Sequence, residues 1–185
     1  SFQASNNLLT NLPTSLGNSV LLSYLDLSSN QISGNIPNFL SSLVNLRFLY
    51  LNNNQFTGPI PTYVGSLSKL NTLGLNNNQL TGSIPGELGN LNLLATLFLN
   101  NNQLSGCYRP ALKSLCSHLT SYSFNNNPGL PSGGSNWSAF CSSNAGVCPC
   151  PDGEFLLYYK DIDGDLHADT SIYSCTSPGN GYTLI

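Results

Sequence analysis

The sequence predicts an α/β solenoid of 24-residue coils, with a small disulfide-stapled β module at its C-terminal end. Three observations predict it. Leu22, Leu46, Leu70 and Leu94 lead successive copies of one pattern, each followed by two more leucines three and five residues on. Within a copy the last two leucines alternate with other residues, the period of a short strand with one buried face. The six cysteines, Cys107, Cys116, Cys141, Cys148, Cys150 and Cys175, all stand where the pattern degrades or beyond it.

Composition narrows the setting. The chain has 185 residues, enough for one domain or a domain with an appendix. Only 7% are charged, against roughly 25% in ordinary soluble domains, so Asn, Ser, Thr and Gln must keep the surface polar. The net charge is −3, with five Lys plus Arg and no basic tract. Nucleic acid and anionic membranes are therefore not expected as partners, because both need a positive footprint. No apolar run approaches the roughly 20 residues of a membrane span. There is no signal peptide and no initiator Met, so the chain reads as a mature protein or a fragment that opens inside a repeat.

Taken in order, a partial copy holds Asn6, Leu8, Leu12 and Pro13. The first full copy reads Leu22, Leu25, Leu27, Asn30, Ile32, Gly34, Ile36, Pro37, and the next runs from Leu46 through Asn54 and Phe56 to Pro61. The third runs from Leu70 through Asn78 and Leu80 to Pro85; the fourth keeps Leu94, Leu97, Leu99, Asn102, Leu104 and Gly106, then degrades at Tyr108 and Pro110. A late copy holds Leu119, Tyr122, Phe124 and Asn127, one residue out of step. No copy alone can bury its leucines, so copies stack and share one core. The Asn series Asn6, Asn30, Asn54, Asn78 and Asn102 is expected to point inward and satisfy backbone groups at the turns. Segments such as 61–67 and 85–91 are expected to return on the far side as short helical turns.

The L-x-G-x-I-P form of these copies resembles the plant-type subclass of leucine-rich repeats over residues 1–130. The resemblance implies a right-handed superhelix with short parallel strands on its concave face, and an extracellular recognition protein. Family members include receptor ectodomains, enzyme inhibitors, adhesins and some ice-binding proteins. A shared fold does not fix a ligand.

Family geometry puts the non-leucine strand positions on the concave face. One column there is Tyr24, Phe48, Thr72, Thr96, Ser121, and its neighbour is Asp26, Tyr50, Gly74, Phe98, Ser123. Tyr24, Phe48, Tyr50 and Phe98 form either a contact patch or ordinary cross-strand aromatic pairing. Asn52, Asn76 and Asn100 align with Ser28, and Asn53, Asn77 and Asn101 with Ser29, while Gln31, Gln55, Gln79 and Gln103 fill a whole column. Such columns are either consensus filler from repeat duplication or a regular polar surface whose amides bond up the stack.

A disulfide framework is expected of the six cysteines, because His118 and His167 are scattered and Cys148-Pro-Cys150 is too tight to chelate zinc. That places the protein outside the cytosol. Cys107 and Cys116 bracket the last helical segment and are expected to pair; Cys141 is expected to pair with nearby Cys148. Residues 131–149 then form a cap in which Trp137, Phe140 and Cys141 cover the core edge. Asn136-Trp-Ser is formally a glycosylation sequon, and modification there is not expected.

Residues 150–185 differ in kind. Asp161, Asp163, Asp165 and Asp169, with the His167 carbonyl, match the first half of a calcium loop, since hard cations take several oxygen ligands at close spacing. Ile172 stands where an EF-hand has its glutamate, and Leu166 where it has glycine. Calcium is therefore expected at the roughly 10⁻⁴–10⁻³ M end, the other reading being a solvated acidic turn. The segment from Tyr158 to Tyr182 resembles the short Asp-rich repeats of secreted bacterial surface proteins, with His167 and Ala168 in place of small residues. That resemblance implies a Cys150–Cys175 disulfide and a modular surface protein.

No Ser/His/Asp grouping, paired carboxylates in a cleft or phosphate-cradling glycine loop marks an enzyme, and none is expected. The leading expectation is a secreted, cell-surface recognition or adhesion module that binds protein or glycan through Tyr24, Phe48, Tyr50 and Phe98. The alternative is a structural subunit that stacks on copies of itself, head to tail, into a filament or layer. Ice binding is a third reading, and the Ser33, Thr57, Thr81, Ser105 column is short for it.

Overall fold

The computed structural model describes residues 1–143 and the strands 156–160, 170–174 and 182–184. The chain divides into two compact units, Ser1–Gly146 and Val147–Ile185.

The first unit alternates two series of strands: β1 Phe2–Gln3, β2 Tyr24–Asp26, β3 Ser33–Asn35, β4 Phe48–Tyr50, β5 Gln55–Pro59, β6 Thr72–Gly74, β7 Gln79–Gly82, β8 Thr96–Phe98, β9 Gln103–Leu104 and β10 Ser121–Ser123. One parallel sheet runs β1-β2-β4-β6-β8-β10, and a second runs β3-β5-β7-β9. In the first sheet Tyr24 lies beside Phe48, Phe48 beside Thr72, Thr72 beside Thr96 and Thr96 beside Ser121. The columns read from the sequence are therefore in register, including the extra residue of the last copy. Leu25, Leu49, Leu73 and Leu97 point inward between them, and Leu27, Leu51, Leu75 and Leu99 follow at the strand ends; all are buried.

An asparagine ladder fastens copy to copy. The Asn54 side-chain amide donates to the carbonyls of Leu51 in its own copy (3.1 Å) and Leu27 in the preceding one (2.9 Å). Its Oδ1 accepts the Ile32 N–H at 3.0 Å. Asn30, Asn78, Asn102 and Asn127 repeat the pattern. The first copy corrects the sequence reading. Phe2 pairs with Leu25 and Gln3 with Asp26, so that copy is one residue short and Asn7, not Asn6, occupies the ladder position. Asn7 donates to the Ala4 and Ser5 carbonyls, while Asn6 takes the left-handed turn position (φ 57°) that Ser29, Asn53, Asn77, Asn101 and Asn126 hold in later copies.

The second sheet departs from the sequence columns. Ser33 pairs with Gln55, and Thr57 pairs with Asn35 and Gln79. The strands are sheared by two residues relative to the repeat, so the Gln and Ser/Thr columns run diagonally across it. On the remaining side, 3-10 helices Thr14–Asn18, Asn38–Ser42, Thr62–Ser66 and Gly86–Asn90 each follow a proline held extended, which fixes φ and gives up only an N–H that a helix start leaves unpaired. A Cβ at Gly65 or Gly89 would overlap the Glu87 or Ala111 carbonyl of the next coil. Glycine there lets the turns approach closely enough to follow the strand spacing.

The C-terminal end closes on aromatic rings. Phe124 stacks on Trp137 (4.5 Å between centroids), and Tyr108 meets Trp137 edge-on at 5.3 Å and Phe140 at 5.0 Å. Trp137 and Phe140 lie on helix α1, Trp137–Ser143, and both are buried. Cys141, on the same helix, is bonded to Cys116, with 5.5 Å between their Cα atoms. This corrects the expected Cys107–Cys116 and Cys141–Cys148 pairings. The 3-10 helix Pro110–Ser117 holds Cys116 near its far end, about 2 Å of rise per residue beyond a start that itself follows Cys107, and there α1 brings Cys141 to it. Cys107 is disulfide-bonded as well. Lys113 strengthens the α1 contact, donating to the Cys141 carbonyl at 3.1 Å and lying over the Phe140 ring.

In the second unit, Leu156–Lys160, Thr170–Ser174 and Tyr182–Leu184 form a three-stranded antiparallel sheet with Leu156–Lys160 at its centre. Asp161, Asp163, Asp165, His167 and Asp169, and the expected Cys150–Cys175 bridge, lie outside the described residues.

Two stability predictions follow from buried polar groups. Replacing Asn54 with Ala strands the Ile32 N–H and two carbonyls; at about 1–3 kcal/mol per buried unsatisfied group, chemical denaturation should register a loss of about 3 kcal/mol or more. The Tyr108 hydroxyl is buried with no hydrogen-bond partner among the described residues, and burial pushes its pKa from 10.0 to about 12. The folded state thus disfavours the phenolate, and this part of the stability is present below pH 10 and is lost as pH rises through 12. Tyr108→Phe should leave the melting temperature at neutral pH unchanged or higher and blunt the alkaline loss, which melts at pH 7 and pH 11 would reveal.

Candidate functional site

The Leu-x-Leu strands that build the core also present the outward face of the six-stranded sheet. With the leucines turned in, each strand displays its first and third residues outward. Five of these ten are small: Thr72, Gly74, Thr96, Ser121 and Ser123. Three of the four aromatic ones gather at one end. The Tyr24 ring lies 5.7 Å from Phe48 and 5.7 Å from Tyr50, tilted in both pairs, and all three side chains are half-buried. Arg47, exposed beside them, lies over the Phe48 ring at 5.9 Å.

The fourth residue of the predicted patch stands apart. Phe98 is half-buried on the same face, but Gly74 lies between it and Tyr50 in the sheet. The Tyr50 ring leans toward Gly74, where an added Cβ would come within 3.3 Å of it. Tyr24, Phe48 and Tyr50 thus form one cluster, separated from Phe98 by Gly74, over which the Tyr50 ring and the Asn52 side chain lie.

Asp26 completes the cluster, beside Tyr50 across the strands. Its Oδ1 accepts the Ser28 N–H at 3.0 Å and the Ser28 hydroxyl at 2.6 Å. Burial, above all, raises the Tyr50 pKa, with the Tyr24 and Asp26 charges adding to the rise and a Thr72 hydrogen bond opposing it. The sequence placed Asp26 in its column but gave it no role, because a lone carboxylate in a repeat carries no motif.

Two further surfaces exist. The Asn101 side chain donates to Asn77 (2.5 Å), Asn77 to Asn53 (2.6 Å) and Asn53 to Ser29 (3.3 Å), with Asn126 donating to Asn101 (2.6 Å). In the column Ser29, Asn53, Asn77 and Asn101 the side chains thus bond up the stack. At the cap, Tyr122 occupies an inward leucine position on the last strand of the sheet among the described residues, and it is 42% exposed. It lines a hollow of about 250 Å³ with Trp137 and Ser138, which the sequence pattern had not singled out.

Among the described residues no helix is long and apolar enough to cross a membrane, and no three His, Cys, Asp or Glu side chains gather as a metal site.

Comparison with known proteins accords with this architecture. The family model "Leucine Rich repeats (2 copies)" matches residues 20–62, and "Leucine Rich Repeat" matches residues 69–91. No curated protein matches the chain. Among solved structures, the ectodomain of the receptor kinase SOBIR1 from Arabidopsis thaliana is 30% identical, with a TM-score of 0.60 over 68% of this chain and 69% of that one. The plant peptide hormone receptor RGFR1, solved in complex with RGF2, is 38% identical, with a TM-score of 0.60 over 65% of this chain. A plant ice-binding protein is 29% identical, with a TM-score of 0.57 over 63% of this chain. The chain spans 19% of the RGFR1 chain and 38% of the ice-binding one.

Proposed function

The chain belongs to the leucine-rich-repeat family, and on that premise we propose that it is an extracellular, non-enzymatic recognition module that binds an extended protein segment on the six-stranded sheet. The observation that carries this reading is the Tyr24–Phe48–Tyr50 cluster at one end of a face whose other positions, Asp26 and Phe98 apart, are small. Aromatic rings supply large contact area at low entropic cost, and such residues dominate binding energy at interfaces. A solenoid sheet is rigid and flat enough to take an extended chain along it. RGFR1, of similar fold, was solved with a peptide hormone. The disulfides at the cap suit an oxidising compartment.

A second reading, ice binding, has one observation in its favour. The exposed amide chain through Asn53, Asn77, Asn101 and Asn126 is a regular array, and a plant ice-binding protein has a similar fold. The two-residue shear of the second sheet works against it by breaking the Ser/Thr columns into diagonals.

Selection from a displayed library of random peptides, followed by titration of the selected peptides on the full chain, tests the first reading. Tyr24→Ala and Tyr50→Ala should each weaken binding by about tenfold or more, as losing a central aromatic anchor does. Equal affinity in both variants would overturn it. For the second reading, thermal hysteresis that Asn77→Ala abolishes would support ice binding, and ice growth unaffected by the wild-type chain would dismiss it.

A further inference from the structure

We infer that the Tyr24–Phe48–Tyr50 cluster takes a cationic side chain, a guanidinium or ammonium group of the bound segment, and that the Asp26 carboxylate is its counter-charge. The inference rests on the sheet face being the recognition surface and adds to it the chemistry of what is recognised.

Charge is scarce enough here for one carboxylate to decide. Among the outward positions of β2, β4, β6, β8 and β10, Asp26 alone is charged. It forms no ion pair with any described residue. Arg47 precedes Phe48, the first residue of β4, whereas Asp26 lies beside Tyr50 at the other end of that strand. At about 3.3 Å of rise per residue the two are separated by the length of the aromatic cluster, and Arg47 is engaged with the Phe48 ring.

Folding does not require the charge. The turn that follows Asp26 is built again in the next three copies, with Tyr50, Gly74 and Phe98 in its place. The backbone bond that ties each turn to the next coil is the same: Ser29 N–H to the Asn52 carbonyl, Asn53 N–H to the Asn76 carbonyl, Asn77 N–H to the Asn100 carbonyl, each 3.0 Å. Asn101 N–H bonds the Asn125 carbonyl likewise at 3.0 Å, so three copies make the same turn with no carboxylate.

The carboxylate is aimed, not merely present. Ser28 holds Oδ1 by two hydrogen bonds, which fixes the rotamer and leaves Oδ2 without a partner among the described residues. Half-buried Tyr24 and Tyr50 rings stand beside it. A cation seated against them meets electron-rich ring faces and a pre-oriented carboxylate together, and partial desolvation strengthens both attractions.

The test pans a displayed library of random peptides on the full chain and in parallel on Asp26→Asn, which keeps an acceptor for Ser28. The wild-type pool should be enriched in Arg or Lys at one position, and a selected peptide should bind Asp26→Asn at least about tenfold more weakly. Changing that basic residue to Gln should cost a similar factor on the wild type and nothing further on Asp26→Asn, the signature of direct coupling. Comparing Arg with Lys at the position then separates guanidinium from ammonium. A pool without basic enrichment, or one that binds Asp26→Asn unchanged, overturns the inference. If Tyr24→Ala still abolishes binding in that case, the sheet face stands as the recognition surface and only the cation falls. If Tyr24→Ala is silent too, or no peptide is selected, both fall.

Discussion

The rest of the structure depends on the asparagine that follows each strand of the six-stranded sheet, buried after four of them. A solenoid coil must turn sharply out of its strand, and the turn leaves backbone carbonyls and an N–H facing a core with no water to satisfy them. One asparagine amide answers both needs, because it offers donors and an acceptor on a short stem. Asn54 spends its donors on carbonyls of two successive coils and its acceptor on Ile32. The same side chain therefore shapes its own turn and fixes the distance to its neighbour. Leucine stacking alone would supply burial without register; the ladder supplies register.

Because the inward leucines and the ladder carry the fold, the outward strand residues are released from structural duty. The face consequently tolerates Tyr, Gly, Thr and Phe at equivalent places without changing the backbone. The ends are the exception. A stack leaves its last coil uncovered, and here Tyr108, Phe124, Trp137 and Phe140 fill that space with rings, while Cys116–Cys141 holds α1 against the last 3-10 helix. Tyr122 shows how local that cover is, since it sits at a leucine position and remains half exposed.

What the sequence made legible was whatever repeats. The two outward columns, the inward leucines and the one-residue slip before Asn127 all follow from counting along a regular period, and the paired strands lie in that register. What escaped was set by geometry that the period does not contain. Asn6 looked like the ladder residue because it keeps the 24-residue spacing, yet the short first copy gives that place to Asn7. The cysteine pairing turned on the length of a 3-10 helix, which carries Cys116 away from Cys107 and toward α1. The shear of the second sheet is likewise invisible in the spacing, because a column can be regular in sequence and diagonal in space. Of the four predicted contact aromatics, three meet, and Gly74 separates Phe98 from them.

The same economy that hides function in a repeat also exposes it. In a chain with 7% charged residues, a charge is seldom needed for solubility, and a charge on a strand face is not needed for the fold when sibling copies do without it. A difference between copies that serves neither stacking nor solubility is then informative in itself, since the copies act as internal controls for one another. Asp26 is such a difference, and so is the step from Tyr50 to Gly74. Both alter what the face offers to a partner while leaving the ladder and the leucines beneath untouched. In a solenoid, the residues that break the outward pattern without disturbing the inward one are therefore where specificity should be sought.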